Sequence, residues 1–106
     1  MVPLHWTGAE KRIAREVFET ACEAEKRELL ETFKRRAAQM GSSDDLWQLA
    51  EDIERARRDF DRKYDYRYSQ LPFVFGQLVR EGRVTEDQLE GLGSEKLDFV
   101  RRFASL

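Results

Sequence analysis

The side chains that most often catalyse reactions or bind metals are scarce in this chain. The one histidine, His5, lies near the N-terminus, and the one cysteine, Cys22, has no second cysteine or histidine close to it. A structural zinc site needs about four such ligands, and a serine–histidine–acid triad needs a firmly held histidine. Glu51, Asp52 and Glu54 could act as paired carboxylates, but neighbouring charges on an exposed helix usually form a solvated face. We therefore expect no enzyme, cofactor or metal site.

Recognition of another protein is better supported, because Trp47 lies away from the apolar face of its predicted helix. That face is formed at alternating steps of three and four by Leu46, Leu49, Ile53, Ala56 and Phe60. Trp47 lies instead in a row with the charged residues Glu51, Glu54 and Arg58. Ala50 and Arg57 lie along one border of that row. Tryptophan and arginine are enriched at binding hot spots. The alternative is a tryptophan packed on the arginines of its own helix or under the preceding loop.

Two long helices must position these residues. Thr7 and Glu10 have the spacing of a capping box and begin a helix that runs to about residue 40. Gly41, Ser42 and Ser43 interrupt the pattern, and Ser43 or Asp44 can cap the second helix. That helix is expected to continue until Pro72, because the residue before a proline is disfavoured in a helix. The two helices form an antiparallel stalk over residues 7–70.

The last part of the chain, residues 71–106, predicts a small helical head. Gly82 can end its first helix, Thr85 and Gln88 form a second capping box, and Ser94 can cap the last helix. Phe73 and Phe75 lie two positions apart and diverge by about 160° on a helix, so one should be buried and the other should border a surface. We expect a single all-α domain over residues 1–106.

Composition excludes several function classes. The 106 residues are 38% charged, with 19 basic and 21 acidic side chains and a net charge of −2, which argues against binding to nucleic acid. No apolar window is long enough to span a membrane, no signal peptide is apparent, and a single cysteine suits the cytoplasm. A stalk of two helices has a thin core, so a homodimer is expected. Tyr64, Tyr66 and Tyr68 suit a half-wet joint between stalk and head better than a ligand site.

Three segments resemble the fluorescence recovery protein family, namely DDLW (residues 44–47), KYDYRYSQ (63–70) and FVFGQLVREG (73–82). The resemblance implies an all-α homodimer that binds photoactivated orange carotenoid protein. It also implies that binding speeds the return to the resting orange form and ends quenching at the phycobilisome. The functional patch of the family is a tryptophan, an adjacent histidine and aspartate, and an arginine. Trp47 and Arg57 match, whereas Ala50 replaces the histidine and Glu51 the aspartate.

These considerations predict two overlapping surfaces. The partner-binding residues are expected to be Trp47, Glu51, Arg57 and, by resemblance, Phe73 in the head. The dimer interface is expected to contain Trp47, Ala50, Glu54 and Arg58. Two alternatives to the carotenoid-protein regulator stay open: a related dimeric helical adaptor with a different protein partner, and a purely structural helical dimer.

Overall fold

The computed structural model describes residues 4–106, and the regular structure in this range is helical. The elements are α1 (Gly8–Ala38), α2 (Ser43–Lys63), α3 (Leu71–Arg80), a 3₁₀ helix (Asp87–Leu89) and α4 (Ser94–Ala104). Apart from an isolated bridge between Glu90 and Leu92, the described chain contains no strand. None of these helices is long and apolar enough to cross a bilayer. The all-α prediction is confirmed.

Two capping boxes begin helical segments where the sequence predicts them. At the start of α1, the Thr7 N–H donates to Glu10 Oε1 at 2.9 Å and the Glu10 N–H donates to Thr7 Oγ1 at 3.1 Å. Before the 3₁₀ helix, the Thr85 N–H donates to Gln88 Oε1 at 2.8 Å and the Gln88 N–H to Thr85 Oγ1 at 3.3 Å. Each box satisfies two backbone donors that a helix start otherwise leaves unpaired.

Two other predicted caps are wrong by one residue. The oxygen that caps α2 belongs to Ser42, whose Oγ accepts from the Asp45 N–H at 3.2 Å, and not to Ser43 or Asp44. The Asp45 side chain in turn accepts from the N–H of Gly41, the residue before this cap, at 3.0 Å. Gly93 occupies the N-cap position of α4 without a side-chain hydrogen bond, and Ser94 is the first helical residue.

The chain forms two compact units, which divide within α1 and again after α2. Residues Glu23–Lys63 make up the hairpin unit, and residues 4–22 together with 64–106 make up the aromatic unit. The single domain predicted for residues 1–106 stays a prediction, and its first three residues lie outside the described range.

Within the hairpin unit, the second half of α1 runs antiparallel to α2. Arg36 Nη2 lies 2.7 Å from Asp52 Oδ2, and Glu25 Oε1 lies 2.7 Å from Lys63 Nζ. Residue numbers therefore fall along α1 as they rise along α2, as the predicted stalk requires.

The aromatic unit contains the best-packed core of the described chain. Its largest fully buried side chains are Leu71, Phe75, Leu78, Leu89 and Val100. Helices α3 and α4 approach closely at Gly76, where an added Cβ would lie 2.8 Å from Phe103 Cβ. Only a residue without a side chain permits that approach.

The prediction that the second helix continues to Pro72 is wrong, because α2 ends at Lys63. Residues 64–67 are irregular, residues 68–70 form a turn, and Pro72 lies in the first turn of α3. Proline is well tolerated there because that position needs no intrahelical N–H bond.

The three alternating tyrosines explain why the helix stops. The Tyr64 and Tyr66 rings both pack edge-on against Phe18, at 5.5 and 4.8 Å, and the Tyr68 ring lies 5.7 Å from that of Tyr66. Residues two apart share a face in an extended segment but diverge on a helix, so one cluster can hold all three rings only if the helix ends. The spacing Tyr-x-Tyr-x-Tyr was the sequence signal for this segment.

Candidate protein-interaction surface

One side of α2 is left uncovered by α1. The helix pair buries Leu49 and half-buries Ala56 and Phe60, whereas Leu46 and Ile53 stay 45% and 44% exposed. All five were predicted to face the partner helix, and for Leu46 and Ile53 that prediction is wrong. One neighbouring helix covers only a narrow strip, and the apolar stripe of α2 is wider than that strip.

Trp47 lies beside this uncovered strip and is 64% exposed. Among the described residues, no cation lies over its indole ring and no hydrogen bond involves it. The alternative of a tryptophan packed on its own arginines or under the loop is therefore contradicted. We name the surface formed by Leu46, Trp47, Ala50, Ile53 and Arg57 the α2 face.

The charged residues predicted around Trp47 are exposed and weakly paired. Arg57 Nε lies 3.9 Å from Asp61 Oδ2, at the limit of an ion pair, and Arg58 Nη1 lies 3.3 Å from Glu54 Oε1. Glu51 is exposed and makes no ion pair with any residue of the described range. Exposed ion pairs contribute little, typically under about 1 kcal/mol. Arg57 can therefore leave Asp61 for another partner at small cost, and Glu51 has no ion pair within the described residues to break.

Asp52 is not available as half of a carboxylate pair. It accepts hydrogen bonds from Arg36 at 2.7 Å and from Gln48 at 3.0 Å, and these hold the pKa of Asp52 below its ordinary value. A carboxylate that is fixed in its ionised form serves poorly as a proton donor. Within residues 4–106, no group of three or more histidine, cysteine, aspartate or glutamate side chains could hold a metal ion.

Phe73 and Phe75 separate as the sequence predicts. Phe75 is fully buried, whereas Phe73 is 38% exposed on α3. The Phe73 ring packs edge-on against Phe103 at 5.3 Å, which fixes its orientation while leaving one side open. An aromatic ring held in this way loses little conformational entropy on binding.

The predicted site residues fall into two groups. The hairpin unit carries Trp47, Ala50, Glu51, Glu54, Arg57 and Arg58 along one helix, and the aromatic unit carries Phe73. The assignments of these residues to partner binding and to a dimer interface stay predictions.

Sequence reasoning missed four further apolar side chains in the hairpin unit. They are the exposed residues Leu30, Met40, Leu46 and Ile53. Periodicity placed Leu46 and Ile53 on the apolar face of α2, but a helical pattern identifies such a face without saying what covers it.

Comparison with known proteins agrees with the resemblance in the sequence. The model of the family described as photoprotection regulator fluorescence recovery protein matches residues 6–104. The chain is 37% identical over 101 residues to the fluorescence recovery protein of Synechocystis sp. PCC 6803, covering 95% of this chain and 93% of the relative.

Solved structures extend the similarity to the fold. The fluorescence recovery protein of Fremyella diplosiphon matches with a TM-score of 0.90 at 32% identity, over 96% of this chain and 100% of that one. The structure from Synechocystis sp. PCC 6803 matches with a TM-score of 0.90 at 36% identity and the same coverage. The chain thus belongs to the fluorescence recovery protein family of photoprotection regulators.

Proposed function

We propose that this chain is a non-enzymatic cytoplasmic regulator that binds photoactivated orange carotenoid protein and speeds its return to the resting orange form. Its action would end the quenching of phycobilisome fluorescence. The observation that carries the proposal is the open α2 face, where Trp47 is 64% exposed in a member of this family.

The action needs only binding. A protein that binds one conformation more tightly than another shifts the equilibrium by its difference in affinity and no more. Docking on the activated form with its domains apart, and favouring their reassociation, would lower the barrier to recovery. No covalent step is required.

Each residue of the surface would have a distinct part. Trp47 supplies a large apolar contact, and the guanidinium of Arg57 supplies several donors for an acidic or carbonyl group. Glu51 keeps the negative charge of the family's aspartate on a longer stem, whereas Ala50 can neither donate nor accept a hydrogen bond. Phe73 would be a separate contact on the aromatic unit.

We further propose that the chain is a homodimer. Leu46, Trp47 and Ile53 expose large apolar side chains on a single helix face, with Ala50 between them and Glu54 and Arg58 beside it. Contiguous apolar surface of this kind usually marks an interface. Burying it against a second copy would complete the thin core of the hairpin unit. Since Trp47 belongs to both surfaces, the second copy and the carotenoid protein would compete for it.

The dark decay of red carotenoid protein to its orange form, followed by absorbance at increasing concentrations of this chain, tests the proposal. Wild type should accelerate the decay, and Trp47→Ala and Arg57→Leu should abolish most of the acceleration. The matched control is Arg62→Leu on the same helix, since Arg62 is 79% exposed and pairs only weakly with Asp59. That variant should behave like wild type.

A gain-of-function variant sharpens the test. Ala50→His would restore a hydrogen-bonding side chain, and one such bond is typically worth about 0.5–1.5 kcal/mol, or up to about tenfold in affinity. It should therefore act at lower concentration. The absence of acceleration by wild type in excess would contradict the proposal.

Ala50 and Glu51 favour a second candidate function. A related adaptor that recognises a different protein would keep Trp47 and Arg57 but not the histidine. Such a chain would leave carotenoid-protein decay unchanged even with Ala50→His, and would still form the dimer.

A further inference from the structure

The start of α1 and Tyr68 together form a groove. It contains no residue of the α2 face and does not contain Phe73. It is open to solvent, has a volume of about 460 Å³ and lies wholly within the aromatic unit. Gly8, Lys11, Arg12, Arg15 and Tyr68 line it, and Glu16 and Glu19 lie at its far end.

Aromatic rings lie beneath two of the cations of this groove. Lys11 Nζ lies 5.1 Å from the centre of the Tyr68 ring, and Arg15 Cζ lies 4.6 Å from that of Tyr66. Lys11 and Arg15 are four residues apart and so lie on one side of α1. A cation held over a ring keeps its full charge and its donors for another partner.

The rings are themselves fixed. Tyr68 packs on Trp6 at 5.4 Å and Tyr66 packs edge-on against Phe18 at 4.8 Å. Burial, with Tyr68 close by, raises the pKa of Tyr66, so its ring stays neutral beneath Arg15 at neutral pH. The cations are thus positioned before any ligand arrives, which lowers the entropy lost on binding.

The positive charge at this end of the groove is not neutralised within the aromatic unit. Arg15 makes one long contact with Glu19, at 3.4 Å, but no carboxylate in the described range pairs with Lys11 or Arg12. A Cβ on Gly8 would meet nothing within 4 Å, so the backbone there is uncovered.

We propose that this groove binds an acidic segment of a partner protein, with its carboxylates at Lys11 and Arg12 and an apolar side chain beside Tyr68. From Gly8 to Glu19 the groove follows about 16 Å of helix, the length of roughly five extended residues. It is therefore too long for a single small anion. Glu16 and Glu19 set the direction in which the segment lies along the groove, because they repel its acidic end.

The test uses a short fluorescein-labelled peptide of alternating glutamate and leucine, with binding measured by fluorescence anisotropy at low salt. Lys11→Ala/Arg12→Ala should weaken binding by about tenfold. The matched control is Lys26→Ala/Lys34→Ala, which removes the same charge from exposed positions further along α1 that pair with Glu23 and Glu31. The control should change affinity by less than about twofold.

A third variant tests the contribution of the Tyr68 ring. Tyr68→Leu keeps an apolar side chain but removes the ring beneath Lys11, and should weaken peptide binding several-fold while circular dichroism shows an unchanged helix content. Trp47→Ala should bind the peptide like wild type, since the groove is independent of the α2 face.

Three results would overturn the proposal. Equal losses in the two double variants would show only long-range attraction, and displacement of the peptide by an equal concentration of inorganic phosphate would show a simple anion site. Failure of wild type to bind the peptide at low salt would exclude the groove altogether. None of these results bears on the carotenoid-protein assay, which is measured separately.

Discussion

Replacing Glu10 by glutamine removes one buried negative charge while keeping the shape of the side chain. Glu10 Oε2 lies 2.9 Å from Lys96 Nζ, and only 8% of each side chain is exposed. The same oxygen accepts the Gly93 N–H at 2.7 Å, and Lys96 also donates to the His5 carbonyl at 2.5 Å. These contacts join the N-terminal segment of the aromatic unit to its C-terminal segment.

The structure sets the size of the effect. Burial alone would raise the pKa of Glu10, but hydrogen bonds from Thr7, Lys96 and Gly93 outweigh it and lower the pKa to about 2 from 4.5. By linkage, that difference corresponds to roughly 3 kcal/mol of folding free energy, and we expect about 2 kcal/mol after allowance for solvent screening. Glu10→Gln also leaves Lys96 buried without its counter-charge, which adds to the loss.

The lowered pKa of Glu10 determines whether its stabilisation grows or falls with pH. A carboxyl whose pKa is lower in the folded state stabilises the fold above its unfolded pKa of about 4.5. This stabilisation is lost as the pH falls from about 5 towards 2. Glu10→Gln should therefore reduce the free energy of unfolding at pH 7 and flatten its decline in acid.

Urea unfolding followed by circular dichroism at pH 7 and pH 3, at fixed protomer concentration, measures both effects. The control Glu19→Gln removes an exposed carboxylate from the same helix and should cost under about 0.5 kcal/mol. Glu10→Gln/Lys96→Met should recover much of the loss, because no buried charge remains unpaired. The Glu10–Lys96 pair does not stabilise the fold if Glu10→Gln costs no more than the control. The same holds if the variant loses as much free energy of unfolding between pH 7 and pH 3 as wild type.

Three further predictions follow from packing. Light scattering at micromolar concentration should show a dimer, and Trp47→Ala should raise its dissociation constant by more than about tenfold, whereas a wild-type helical monomer would contradict the interface. Gly76→Ala should destabilise by about 1–3 kcal/mol in thermal unfolding, because its Cβ would overlap Phe103, and a gain in stability would refute that close contact. Phe75→Ala should cost about 3–5 kcal/mol, and Phe73→Ala much less, since Phe73 is partly exposed; equal costs would contradict this difference.

Much of the candidate surface could be predicted from one helix. The charged row beside Trp47 indicated an exposed aromatic, and Trp47 is exposed. The divergence of Phe73 and Phe75 on a helix predicted that one ring would be buried and the other exposed, but did not predict which. The groove at Lys11 could not be predicted, because Tyr68 reaches α1 only through the fold.

The amino-acid sequence by itself determined the features that depend on neighbours three or four positions apart. The helical character, the break at Gly41 and the capping boxes at Thr7 and Thr85 all rest on such local contacts, and the structure contains them. Only the tertiary structure decided that α2 ends at Lys63, because Tyr66 leaves the helix to pack on Phe18, far away in the chain. It alone also decided that Leu46 and Ile53 stay exposed. A periodic pattern records which side of a helix is apolar, whereas burial depends on which distant element lies against that side.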